Sequence, residues 1–356
     1  MFNKKKFLAL LGVAILGGLP TGASPHERYK AANDKAGSSE TTTPTLWREP
    51  ADIASLDLLE GPGGKEHEPH PPFKFEKEDL KGSNPKFDVR DQDGVKWKVK
   101  LGAEAKPETV ASRLVWAIGY FTNEDYFLPE FRATGMPAHL HRGNSFVEPD
   151  GSIRNVRLKR YLEGEKKIGS WEWRHNPFTG TRELNGLRVM MAVINNWDLK
   201  DENNSIYREK RPDTGEGPQL VYLVSDLGSS FGTTNFIASD KGKGNLDSYV
   251  HSTFIRKGAE RAGNLVDFED PHRPALFIAF NAPEFVSRVN MEWIGRHIPK
   301  ADAKWTGQQL AKLSREQIRD AFRAAQYTPE EVEAFAMAVE LRIAELNELW
   351  VGPGAK

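Results

Sequence analysis

The chain has 356 residues, a formal net charge of −1, 38% hydrophobic and 28% charged residues. That composition builds a folded body of one large or two modest domains, and so even a charge balance gives no pull toward nucleic acid or an anionic membrane. There is no cysteine, which excludes disulfides, thiolate catalysis, cysteine zinc sites and a lipid anchor on an N-terminal cysteine.

Residues 1–23 read as a secretory signal. Lys4-Lys5-Lys6 supplies the positive start, and Phe7 to Leu19 is apolar but short for a bilayer span. Thr21-Gly22-Ala23 ends in small residues, so cleavage is expected after Ala23. The alternative is an uncleaved anchor. The mature chain is expected to be exported, periplasmic or extracellular, and free of the membrane. Residues 24–68 are polar and interrupted by Gly61-Pro62-Gly63-Gly64, and are expected to be a disordered linker.

Three short strand patterns follow, at Phe73-Lys74-Phe75, Phe87-Asp88-Val89 and 95–101. Lys81-Gly82-Ser83-Asn84-Pro85 turns the first pair and Gln92-Asp93-Gly94 the second. Lys96, Lys98 and Lys100 share one face of the third strand, opposite Trp97, Val99 and Leu101. Lys96 and Lys98 are expected to form the solvated face of an edge strand. A helix opens at Pro107-Glu108, with Val110, Ala111, Leu114, Val115 and Ile118 as its apolar stripe.

Further strands are expected at 127–131 and 153–158. His139-Leu140-His141 has no third ligand nearby and reads as a surface or substrate-facing pair rather than a metal site. Trp171 and Trp173, with Arg174 and His175, fit either a binding surface or core packing. Leu184, Leu187, Met190, Met191 and Ile194 recur at helical spacing, which predicts a half-buried helix over 181–194.

That helix leads into Asn195-Asn196-Trp197-Asp198-Leu199-Lys200-Asp201-Glu202-Asn203-Asn204. Asp198 and Asn203 stand five residues apart. Phosphoryl transfer uses such a pair: one carboxylate to orient the attacking hydroxyl, and one amide oxygen a short turn later to hold a divalent ion. Asn204 competes with Asn203, and the spacing favours Asn203. The β-like run 220–224 then delivers Asp226-Leu227-Gly228, a second carboxylate for the ion. The 28 residues between Asp198 and Asp226 include a stretch from Arg211 to Pro218 that reads as an inserted loop. A turn is expected around Asp240-Lys241-Gly242-Lys243-Gly244-Asn245. Capping boxes at Ser314…Gln317 and Thr328…Glu331 open two C-terminal helices, the second with Pro329 first and a stripe of Val332, Phe335, Val339, Ile343 and Leu346.

Asp198-Leu199-Lys200-Asp201-Glu202-Asn203 resembles the catalytic loop of the protein-kinase-like superfamily, whose atypical branches include phosphoinositide-kinase-like members. Asn196-Trp197-Asp198 with Asn203 is similar to the loop of HipA-type kinases, and Asp226-Leu227-Gly228-Ser229-Ser230-Phe231-Gly232 to the metal-binding strand end of CotH-type kinases. The resemblance implies an α+β, two-lobed fold: an antiparallel-sheet N-lobe over 69–163 and a mainly helical C-lobe over 164–350. It implies Lys100 as the lysine for the nucleotide phosphates, braced by Glu108 with Glu104 as rival. Gly82-Ser83-Asn84 would cover the phosphates, a plain hairpin turn being the alternative. Asp198 and Lys200 would be catalytic, Lys200 contacting the transferring phosphate or else facing water, and Asn203 and Asp226 would hold Mg²⁺. The activity implied is phosphoryl transfer from ATP to a hydroxyl acceptor. The alternatives are nucleotidyl transfer on the same fold, or a non-catalytic exported protein that binds a ligand or partner. No Gly-x-Ser-x-Gly elbow or His-Glu-x-x-His helix supports a hydrolase.

Overall fold

The computed structural model describes residues 42–82, 84–209, 218–233, 242–256, 263–269 and 289–349. The expected signal, residues 24–41 of the expected linker, Ser83 and residues 211–217 of the expected insertion lie outside that set, as do Asp240 and Lys241.

Both expected hairpins form. Strand β2 (Phe73–Asp79) pairs antiparallel with β3 (Lys86–Arg90), and β3 with β4 (Lys96–Lys100). The second turn closes because the Asp91 carboxylate accepts the backbone N–H groups of Asp93 and Val95 and the Trp97 indole N–H. Strands β5 (Asp125–Phe131), β6 (Ala133–Thr134) and β7 (Ile153–Arg160) complete a sheet of order β5-β7-β4-β3-β2-β6. Strand β4 is therefore central, not an edge. Its lysines are not simply solvated either. Lys96 and Lys98 lie 3.1 and 3.2 Å from the buried Asp88 carboxylate, and both ammonium groups sit over the Tyr161 ring. The opposite face, with Phe87, Val89, Trp97, Val99 and Leu158, forms the front core.

Helix α1 (Ala105–Ala117) connects β4 to β5 and starts two residues before Pro107. Val110, Ala111, Leu114 and Val115 are fully buried in a second, larger core shared with the rest of the chain. The chain leaves the front sheet after β7 and enters a rear sheet of order β1-β10-β9-β8, built from β1 (Thr43–Thr45), β8 (Lys166–Gly169), β9 (Asn204–Glu209) and β10 (Gln219–Val224). Helix α2 (Arg182–Val193) is capped by Thr181 and buries Leu184, Leu187, Met190 and Met191.

After α3 (Leu246–Val250) and a short ladder of β11 (Leu265–Val266) with β12 (Ile298–Pro299), three helices close the fold: α4 (Lys300–Leu310), α5 (Arg315–Arg323) and α6 (Pro329–Glu348). Both expected capping boxes are present, and the whole apolar stripe of α6 is buried. The fold is α+β: a front sheet with one helix after its third consecutive strand, then a mainly helical rear around the larger core.

The expected linker needs correction over 42–68. Strand β1 pairs parallel with β10, and Leu46, Ile53 and Leu58 are buried in the rear core. The Gln317 side-chain amide donates to the carbonyls of Ile53, Ala54 and Leu56. Three well-spaced apolar side chains and a paired backbone outweigh a polar composition, because each buried aliphatic side chain contributes roughly 1.5–3 kcal/mol. His139 and His141 lie on the surface, with His141 against Glu78, as expected.

Candidate functional site

Lys100 ends the central strand, with Lys86 of β3 and Arg157 of β7 as its register partners. Its side chain is only 6% exposed, so the ammonium must find acceptors. It donates to Glu108 Oε2 at 2.9 Å and Asp226 Oδ1 at 3.0 Å, and also pairs with Glu104 Oε2. Glu104 occupies the N-cap position of α1 and Glu108 lies in its first turn; their four-residue spacing brings them to one face.

The charges continue inward with alternating sign. Arg157 lies 2.5 Å from Glu108 Oε1 and 3.2 Å from Asp125 Oδ1, all three side chains being 5% exposed or less. Glu104 has two further partners, Lys243 at 2.6 Å and the Asn84 side-chain amide at 2.7 Å. The expected phosphate-covering turn thus touches the site through Asn84. Gly82, in the left-handed region at φ +70°, is tied down by Arg142, which donates to its carbonyl.

Burial alone would lower the Lys100 pKa, but Asp226, Glu104 and Glu108 together hold it well above the usual lysine value. Burial would raise Glu104; the ammonium groups of Lys100 and Lys243 instead depress it to about 2. Asp226 is raised, by burial and by the adjacent Glu104 and Glu108 carboxylates, although Lys100 opposes them. Asp226 is also the open member of the set: its side chain is 34% exposed, against 5% for Glu104 and 1% for Glu108. One oxygen from each of these three carboxylates falls within a 4.8 Å span, a grouping able to attract a divalent cation.

Gly228 is required by close approach. A Cβ there would stand 2.6 Å from Glu104 Cβ, so the Asp-Leu-Gly turn and Glu104 share space only without a side chain.

The loop carrying Asp198 is built mostly by main-chain bonds. The last carbonyls of α2 are taken by Arg342, which donates to Ala192 and Val193 at 3.0 and 2.9 Å, and by the Tyr249 hydroxyl at 2.7 Å. Asn195 then turns the chain at φ +54°, a conformation asparagine tolerates better than most residues. Three contacts lace the loop to the Asp226 segment: Phe231 N to Ile194 O at 2.8 Å, Trp197 N to Ser229 O at 3.2 Å and Ser225 N to Asn203 O at 2.8 Å. Asp198 and Asn203 are therefore pinned on either flank of Asp226. The Asn203 amide nitrogen donates to Asp198 O at 2.7 Å, and Lys200 Nζ lies 3.2 Å from Asp198 Oδ1.

The structure thus joins Lys100, Glu108 and Asp226 directly, and joins Asp198, Lys200 and Asn203 to one another. It connects the two sets by backbone: no hydrogen bond or ion pair between the Asn203 and Asp226 side chains occurs among the described residues. Sequence reasoning missed Arg157, Asp125 and Lys243, and set Glu104 and Glu108 against each other where both hold Lys100. A charge inside the expected strand 153–158, Arg157, was the available signal; Asp125 lies two residues before the expected strand 127–131. Their pairing depends on a register between distant strands that no local pattern encodes.

No protein-family model matches the chain, and no curated protein matches it. Among solved structures it is similar to the Helicobacter pylori proinflammatory kinase CtkA, with 10% sequence identity over 77% of this chain and 95% of that one, and a TM-score of 0.42. A likeness so distant carries no argument about activity, which must come from the side chains themselves.

Proposed function

We propose that the chain is a phosphotransferase that moves the terminal phosphoryl group of ATP to a hydroxyl acceptor with the help of Mg²⁺. The observation that carries this reading is the Lys100 ammonium held between Glu108 and Asp226, beside a loop that pins Asp198 and Asn203 along the same segment. Phosphoryl transfer is accelerated chiefly by positioning and charge neutralisation. A buried, permanently charged lysine suits the phosphates. Asp226, partly open and crowded by two other carboxylates, suits a divalent cation, with the Asn203 side-chain oxygen as its second protein ligand. Mg²⁺ supplies neutralisation of phosphate charge. Asp198 takes or orients the acceptor proton, and Lys200 stands by the same carboxylate. Asn84 and the backbone around Gly82 cover the phosphates.

Two measurements test the reading. Mg·ATP is expected to raise the thermal midpoint of the protein, and Asp226→Ala to abolish that shift. Labelled γ-phosphate is expected to appear on an acceptor and to be lost in Asp198→Asn. A nucleotide-independent midpoint would remove the reading. The grip of Glu104 on Lys100 favours a second reading, a site that binds nucleotide or a partner without transfer; a retained Mg·ATP shift with no transfer to any acceptor would select it. We also propose export of the chain, with Ser24 as the mature N-terminus; N-terminal sequencing of protein recovered outside the cytoplasm checks it.

A further inference from the structure

Next to the Asp198 loop lies a cavity of about 340 Å³. Three stretches wall it: 172–175, 199–202 and 290–294. Lys200 lines the cavity and also reaches the Asp198 carboxylate at 3.2 Å, so one side chain links this space to the proposed catalytic group. The walls are fixed to one another. Trp173 N donates to Asp201 Oδ1 at 3.0 Å, joining the first stretch to the second. Arg188 of α2 donates to the carbonyls of Trp293, Ile294 and Arg296, holding the third in place. Arg174 is stacked 4.2 Å from the centroid of the Trp293 ring, which sets its guanidinium in advance.

We propose that this cavity is the acceptor pocket and that it takes a neutral polyhydroxylated molecule, a sugar or sugar-like polyol about one ring in size. The proposal rests on the phosphotransfer reading and adds the acceptor class to it. The lining presents acceptors, the carboxylates of Glu172, Asp201 and Glu202, alongside donors, Arg174 and Lys200. An anionic ligand would meet three carboxylates, and a cationic one would meet a guanidinium and an ammonium. Hydroxyl groups donate and accept, so they satisfy both sets without adding charge. Leu199, Met291 and Ile294 add the apolar surface that a ring's C–H face needs. The volume lies near the small end of ligand pockets.

In the reaction, a sugar hydroxyl oxygen forms a bond to the γ-phosphorus while the bond from that phosphorus to the bridging oxygen of ADP breaks. The hydroxyl proton goes to Asp198 and from there to solvent, and ADP leaves.

The test uses the full chain with ATP and Mg²⁺, offered glucose, ribose, myo-inositol and glycerol against serine-containing basic and acidic peptides. ADP release and phosphorus NMR of the product are read. At least one of the four neutral compounds is expected to raise ADP release about tenfold and give a phosphate ester, with Glu202→Gln and Arg174→Gln each raising its KM about tenfold, the cost of one lost hydrogen bond. Glu202 and Arg174 are both exposed, so both variants are expected to fold. Phosphorylated peptides with inert sugars would overturn the proposal while leaving phosphotransfer intact. A phosphorylated sugar whose KM moves in neither variant would also overturn it. If Mg·ATP binds nowhere, phosphotransfer itself fails; calorimetric titration of the same compounds then decides the pocket alone, sustained by binding lost in Glu202→Gln and overturned by no binding.

Discussion

On one side of Asp226 stands Lys100, among side chains that water scarcely reaches; on the other stands Asp198, about a quarter exposed, on a loop fixed by its main chain. The first side is an alternating series of buried charges, Asp226, Lys100, Glu108, Arg157 and Asp125. Each needs its neighbour, because an unpaired buried charge is costly. The second side has its geometry secured by carbonyl and amide contacts, which leaves the Asp198 side chain open to change without loss of the loop. The difference separates two kinds of damage. Changes at Lys100 should harm both stability and activity, whereas changes at Asp198 should harm activity alone.

The sharpest way to break this comparison is Lys100→Met. It leaves Glu104, Glu108 and Asp226 facing each other, and a loss of about 3–5 kcal/mol is expected in urea unfolding, together with loss of the Mg·ATP thermal shift. A variant as stable as the parent would show that these charges do not depend on one another. Asp198→Asn is the counterpart. It should slow transfer by about 10²–10⁴-fold while changing unfolding free energy by no more than about 0.5 kcal/mol. A marked destabilisation there would erase the contrast.

Acid offers a graded version. The folded pKa of Glu104 is depressed from 4.5 to about 2, so the stability it contributes is present above about pH 4.5 and is lost as pH falls toward 2. The full span is on the order of 3 kcal/mol. Glu104→Gln should flatten the unfolding free energy across that window, and an unchanged slope would mean that the ammonium groups do not hold Glu104. Gly228→Ala gives the smallest effect. Its Cβ would press on Glu104, for a cost of about 1–3 kcal/mol. The same change combined with Glu104→Ala should cost less than the two summed, which a double-mutant cycle reads.

Much of the architecture was legible where the physics is local. The Asp93-Gly94 turn, the Ser314 and Thr328 caps and the stripe on α6 each rest on residues within a few positions of one another. The order Lys100, Asp198, Asn203, Asp226 was legible as chemistry, and Lys100 does meet Asp226. Arg157 was hidden because it becomes a partner of Glu108 only after β7 aligns with β4. The reading of Lys96 and Lys98 as the solvated face of an edge strand failed for a related reason: a strand's edge or centre position depends on partners far along the chain. Over 42–68, composition outweighed Leu46, Ile53 and Leu58, although a few spaced anchors suffice when a sheet waits to receive them.

Strand β1 has a practical consequence for anyone shortening this protein. A chain begun at His70, trimmed to what composition alone suggests is the folded part, would strip the outer strand from the rear sheet and bare the backbone of β10. It would also leave the Gln317 amide without the carbonyls it now serves. An uncovered strand of that kind invites pairing with a neighbour, so the trimmed protein should self-associate in light scattering, while one begun at Thr42 should stay dispersed.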